Sequence, residues 1–253
     1  MRAEVFLSTA VVRYTAAAVT DRGRKRASNE DAYGYSVESG VYVVCDGMGG
    51  AAAGEIASNL AVDEILRLLK AGNQESTTEL PAAAESAVTA ANDAIFSRAQ
   101  RNQRLSGMGT TLVVMATQEQ HVWVLNIGDS RCYRLRRGRL DQLTRDHSLV
   151  EEQVRMGRMT PREALYSPLK NVITRALGTQ SRVTPDVFEF EAEAGDLFML
   201  CSDGLTRELA DATIQSLLNC DEPLEKMAAR LVEAAKKAGG HDNITCLLVR
   251  AES

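Results

Sequence analysis

The sequence predicts an α+β layered fold, an antiparallel sheet with helices packed on its outer faces. Three observations predict it. Strand-like runs cluster at the start, middle and end of the chain. Two long amphipathic helices separate them and a third closes the chain. Strands and helices do not alternate one for one, which argues against a Rossmann-type parallel sheet. No internal repeat, low-complexity tract or proline-rich linker interrupts the 253 residues. One continuous domain is therefore expected over 1–253, with its core at about 11–250.

Residues 10–20, 32–37 and 41–45 alternate or run apolar between turn residues and read as strands. Residues 52–70 put Ile56, Leu60, Ala61, Ile65 and Leu69 on one helical face, and residues 81–103 do the same with Ala84, Val88, Ala91 and Ile95. Residues 111–117, 121–127 and 131–136 are three short strands at hairpin spacing. Residues 144–178 are polar, short-helical and weakly periodic, which marks an insertion or flap. Residues 196–201 and 244–249 read as buried strands, and 223–238 as a helix facing inward with Leu224, Met227, Leu231 and Ala235. Pro81 and Pro223 fall in helix first turns, where a missing N–H costs little.

Composition narrows the function classes. The chain is 45% hydrophobic and 25% charged, the mix of a soluble globular protein. Its 29 basic and 34 acidic side chains give a net charge of −5, which argues against a nucleic-acid binder. No run of about 18 apolar residues predicts a membrane span. The segment MRAEVFLSTAVVRY is a poor secretory signal, so the expected location is the cytoplasm. Cys45, Cys132, Cys201, Cys220 and Cys246 form no CxxC pair, and their apolar settings suggest buried thiols in a reducing compartment.

The chemistry lies in acidic residues at strand ends. Asp46 follows Tyr-Val-Val-Cys and precedes Gly47-Met48-Gly49-Gly50. Asp129 follows Ile-Gly, Asp203 follows Cys-Ser and precedes Gly204, Asp242 precedes Asn243 and a strand, and Glu30-Asp31 opens another. Taken singly, each is a turn-former. Together they are harder to assign to turns, because strands of one sheet bring their ends to one rim. Two carboxylates about 5 Å apart repel by roughly 3 kcal/mol at an effective dielectric of 20. Such a group stays ionised only with cations present. Oxygen-only ligands select Mg²⁺ or Mn²⁺. Three scattered histidines, His121, His147 and His241, are too few for a zinc or iron hydrolase site. Two ions would hold a bridging water or hydroxide for in-line attack on phosphorus. The basic run Arg22–Arg26 is mostly a solvated loop, but Arg26, nearest the acidic pair, could fork onto a phosphate. There is no GxxxxGK[ST], GxGxxG or GxSxG.

Seven segments, in order and spacing, resemble the bacterial form of the metal-dependent Ser/Thr protein phosphatases, the PPM or type 2C family. They are Arg26-Ala-Ser-Asn-Glu-Asp31, Asp46-Gly-Met-Gly-Gly50, Gly107-Met-Gly-Thr-Thr111, Gly128-Asp-Ser-Arg131, Thr144-Arg-Asp-His-Ser148, Ser202-Asp-Gly204 and His241-Asp-Asn243. The resemblance implies a four-layer α-β-β-α sandwich, two antiparallel sheets flanked by helices, with a flap over 144–178. It implies that Asp46 bridges two metals, that Gly47 supplies a carbonyl, and that Asp203 and Asp242 bind one of the pair. Asp31, with Glu30, would orient metal-bound waters, and Arg26 would hold the substrate phosphate. Asp129 with Asp203 resembles a third, weaker metal site. Met48 stands where many eukaryotic members carry a histidine proposed as general acid, and a thioether donates no proton. The expected partners are phosphorylated proteins, a Ser/Thr kinase among them, acted on by a monomer. A catalytically silent regulatory module on the same fold is the alternative, and hydrolysis of a small phosphate ester a third.

Overall fold

Several strands are apolar at nearly every position because both faces of their sheets are covered. The computed structural model describes residues 12–71 and 79–253, and in them two antiparallel sheets lie face to face. One has the order β1 (Arg13–Asp21), β11 (Ile244–Glu252), β10 (Leu197–Cys201), β7 (Arg131–Arg136), β8 (Arg139–Gln142). The other has the order β2 (Asp31–Ser36), β3 (Val41–Met48), β5 (Leu112–Gln118), β6 (His121–Ile127), β9 (Asp186–Glu191). The two-residue strand β4 (Gly109–Thr110) pairs with the end of β3. The first strand was expected from residue 10; positions 10 and 11, like the rest of the N-terminal segment, lie outside the described residues.

The layers follow from the two-residue period of a strand. On β3, Val41, Val43 and Cys45 face α1 (Ala51–Ala71) and α2 (Leu80–Arg101), while Tyr42 and Val44 face the other sheet. On β10, Leu197, Met199 and Cys201 meet α6 (Asp211–Leu218) and α7 (Leu224–Ala238), while Phe198 and Leu200 point between the sheets. Each large apolar side chain fully buried there contributes about 1.5–3 kcal/mol. The result is helices, sheet, sheet, helices.

Four expectations need correction. The strands 121–127 and 131–136 do not form a hairpin. The chain leaves one sheet at Ile127, turns at Gly128 with φ +100°, and joins the other at Arg131. Position 111 lies outside the strand, which begins at Leu112. The second helix stops at Arg101, where Asn102 turns extended (φ −134°) and its side chain accepts from the Arg104 N–H of a short 3₁₀ turn. Pro223 is the residue before α7 rather than part of its first turn.

Residues 144–178 do form a short-helical insertion. It holds α3 (Leu149–Arg155), capped by Ser148, and α4 (Pro161–Tyr166), capped by a reciprocal Thr160–Glu163 pair. Its base is tied down by the bridges Ser148 to Ile173 and Thr110 to Leu177.

One buried side chain joins the two sheets near their shared end. Asn243 accepts from the Glu30 N–H at 2.8 Å and donates to the carbonyls of Arg22 and Ser28 at 3.0 and 2.9 Å. Alanine there would leave one buried N–H and two carbonyls unpaired. Asn243→Ala is expected to destabilise the chain by about 2–3 kcal/mol, measured by urea unfolding. A loss below about 0.5 kcal/mol would contradict the role.

Candidate functional site

The acid-bearing ends of both sheets meet. Asp31 opens β2 and is the cross-strand partner of Asp46 near the end of β3. Asp203 follows β10 and begins the short helix α5 (Asp203–Thr206), and Asp242 precedes β11, whose Cys246 pairs with Cys201. Asp129 sits in the crossover between the sheets. The carboxylates thus converge from two sheets, not from one as the sequence suggested. They share a cavity of about 330 Å³ lined by Arg26, Glu30, Asp46, Gly47, Met48, Thr111, Asp129, Asn171, Ile173, Asp203, Arg207 and Asp242. Every residue singled out in the sequence lines it except Asp31, which lies just behind. A larger cavity, about 610 Å³, has Glu38 and Glu119 beside Val12, Tyr14, Leu69 and Leu80 in its walls, but none of the strand-end aspartates.

Close packing fixes Asp46. A Cβ on Gly47 would fall 2.2 Å from the Gly54 carbonyl oxygen, and one on Gly54 would fall 2.0 Å from Glu30 Oε2. The glycine pair lets the first turns of α1 press against the strand end. Two threonines then clamp the Asp46 backbone. Its N–H donates to Thr111 Oγ1 at 2.9 Å, and Thr110 Oγ1 donates to its carbonyl at 2.9 Å. Thr111 and Ser130 share a 2.7 Å hydroxyl bond, which ties in the Asp129 turn. His147, at the base of this segment, accepts from the Gly128 N–H through Nδ1 and donates its backbone N–H to the Gly128 carbonyl. Asp31 Oδ2 accepts from Ser202 and Thr245, each at 2.7 Å.

Arg26 donates to Asp242 Oδ2 at 2.7 Å. Arg207 was not anticipated. Its guanidinium contacts Asp203 and lies 3.5 Å from both Asp129 Oδ2 and Asp242 Oδ2. One signal could have found it: it stands four residues after an aspartate already singled out.

Burial and mutual repulsion raise these acids. Asp46 is pushed well above the usual carboxylate range by desolvation, then by Asp31, Asp203, Asp129 and Asp242. Asp203 is likewise raised by desolvation and Asp129, with Arg207 opposing. Asp129 is raised by desolvation against the pull of Arg207. Asp31 is pushed up to about 6 by desolvation, despite its two hydroxyl donors. Among the described residues no three acid, histidine or cysteine groups already meet at coordination spacing; Arg26 and Arg207 draw Asp242 and Asp203 to themselves. The donor set nonetheless suits hard divalent ions: it is all oxygen, it carries excess negative charge, and Asp31 Oδ1 and Asp203 Oδ1 are buried without a partner.

Residues 20–249 match the protein phosphatase 2C family model. The serine/threonine protein phosphatase PstP of Mycobacterium tuberculosis is 42% identical over 242 residues, covering 95% of this chain and 45% of that protein. The chain thus spans about half the length of that relative. The serine/threonine phosphatase stp of Listeria innocua is 39% identical over 238 residues, covering 91% and 93%. The solved catalytic domain of PstP in complex with two manganese ions superposes with a TM-score of 0.87 at 38% identity, covering 96% and 100%.

The raised acids set a sign for pH dependence. Their folded pKa values exceed that of a free aspartate, so their stabilising contribution is complete below that ordinary value. It is lost as pH rises through the folded values, which for Asp31 means about 6. With chelator present, the thermal midpoint should fall more steeply as pH rises through about 6 in the wild type than in Asp31→Asn. Parallel profiles in the two proteins would refute this.

Proposed function

The chain belongs to the protein phosphatase 2C family, and on that footing we propose that it hydrolyses phosphoserine and phosphothreonine in proteins, using two bound Mn²⁺ or Mg²⁺ ions. One observation carries the reading: acidic strand ends of both sheets share one cavity with a guanidinium at its rim. Asp46 and Gly47 would serve both ions, with Asp203 and Asp242 on one of them. When bound, such ions lower the pKa of water and polarise a phosphoryl oxygen.

The remaining work falls to the chain. Arg26, with about half of its side chain exposed (49%), is free to swing from Asp242 to a phosphate and offer two parallel donors. Asp31 is held through Oδ2 by Ser202 and Thr245, and its buried Oδ1 has no partner, which leaves that oxygen for a water on the ions. Met48 lines the cavity but has no proton to give, so the leaving alkoxide must take its proton from elsewhere. Asn171 and Ile173 of the flap form part of the wall and would meet the residues flanking a phosphorylated side chain.

The same reading includes a Ser/Thr kinase among the substrates, a chain acting singly, and a cytoplasmic setting. Cys45, Cys132, Cys201 and Cys246 are free and buried, which suits a reducing compartment. Among the described residues no helix is long and apolar enough to cross a membrane.

Turnover of a phosphothreonine peptide should require added Mn²⁺ and stop with chelator. Turnover that survives thorough chelation would overturn the reading. Asp46→Asn should lower kcat by about 100-fold or more while circular dichroism stays native. Arg26→Ala should act mainly on KM, by about tenfold, through the lost phosphate contact. A silent module on this fold would show neither turnover nor Mn²⁺ binding.

A further inference from the structure

Arg207 closes the short helix that Asp203 opens, one turn further on, so its side chain returns over Asp203. An i,i+4 pair on an open helix surface is worth little. This pair is not in that setting. The Asp203 and Asp129 side chains are each only 9% exposed and that of Arg207 is 31% exposed. The guanidinium spans three carboxylates, reaching Asp203, Asp129 and Asp242 together.

Arg207 also divides the Asp203 carboxylate between two uses. It engages Oδ2, whereas Oδ1 is buried and has no partner. One oxygen is thus committed to a fixed internal cation and the other is left for an ion.

We propose that Arg207 is a built-in cation on the Asp129 side of the cavity, and that it holds the number of divalent ions there to two. This rests on the metal-dependent reading above. Six carboxylates, counting Asp31 behind the wall, face two guanidiniums. The four negative charges left over are what two divalent ions neutralise. A further ion between Asp129 and Asp203 would sit against a guanidinium of like charge, or would have to drive it out into water.

Mn²⁺ titration of the metal-free full chain, followed by calorimetry, tests this without reading activity. The wild type should bind two ions. Arg207→Met should bind a third, or bind its weakest ion at least about fivefold more tightly. Arg207→Lys, which keeps the charge without the fork, should fall between them. Asp129→Asn should still bind two, somewhat more weakly than the wild type for the lost negative charge, because Asp129 answers to Arg207 and holds neither ion of the pair. That variant carries the test if Arg207→Met does not fold. Three ions on the wild type, an unchanged isotherm for Arg207→Met, or loss of an ion in Asp129→Asn would each overturn the role of Arg207 alone. No ion on the wild type would instead sink the metal-dependent reading on which it rests.

Discussion

The constraint on which the rest depends is the gathering of like charges out of water. Asp31, Asp46, Asp129 and Asp203 are held above the usual carboxylate range at the end of the sandwich, and folding has only about 5–15 kcal/mol in hand to hold them there. The local structure reads as a response. Hydroxyls from Ser202 and Thr245 fix one acid, the Thr110–Thr111 pair fixes the backbone of another, and two arginines supply positive charge. A chain that keeps so unfavourable a cluster gains something from it, and binding cations is the gain its oxygen-only donor set permits.

The fold was legible where the signal was long and the burial complete. The runs in β10 and β11 and the apolar stripes of α1, α2 and α7 stand out because both sheet faces and one helix face are covered. The sequence alone did not disclose β8, four exposed or partly exposed residues of which only Leu140 is apolar. β9 was missed although Phe188 and Phe190 alternate with acids, because it follows a polar insertion. The division into two sheets was hidden for a different reason. Three residues between β6 and β7 look like a hairpin turn, and only packing shows that the chain changes layers there.

The site was legible as a set of Asp-Gly, Gly-Asp and Asp-Asn pairs, since small neighbours at strand ends are a local signal. Its supporting groups were not. Thr111, Ser202 and Thr245 look like ordinary residues near strand ends, and their roles exist only as contacts across more than 40 residues of chain. Arg207 was overlooked because its spacing from Asp203 means something only once residues 203–206 are known to be helical.

Because its acids are shared between two sheets, the site is gauged by the filling between them. Tyr42, Met115, Phe198 and Leu247 work like the spacer in a caliper, setting how far apart the jaws stand at the rim. A one-methylene change in that distant layer would be felt at the rim. Side chains that never touch substrate are thereby enlisted in the chemistry.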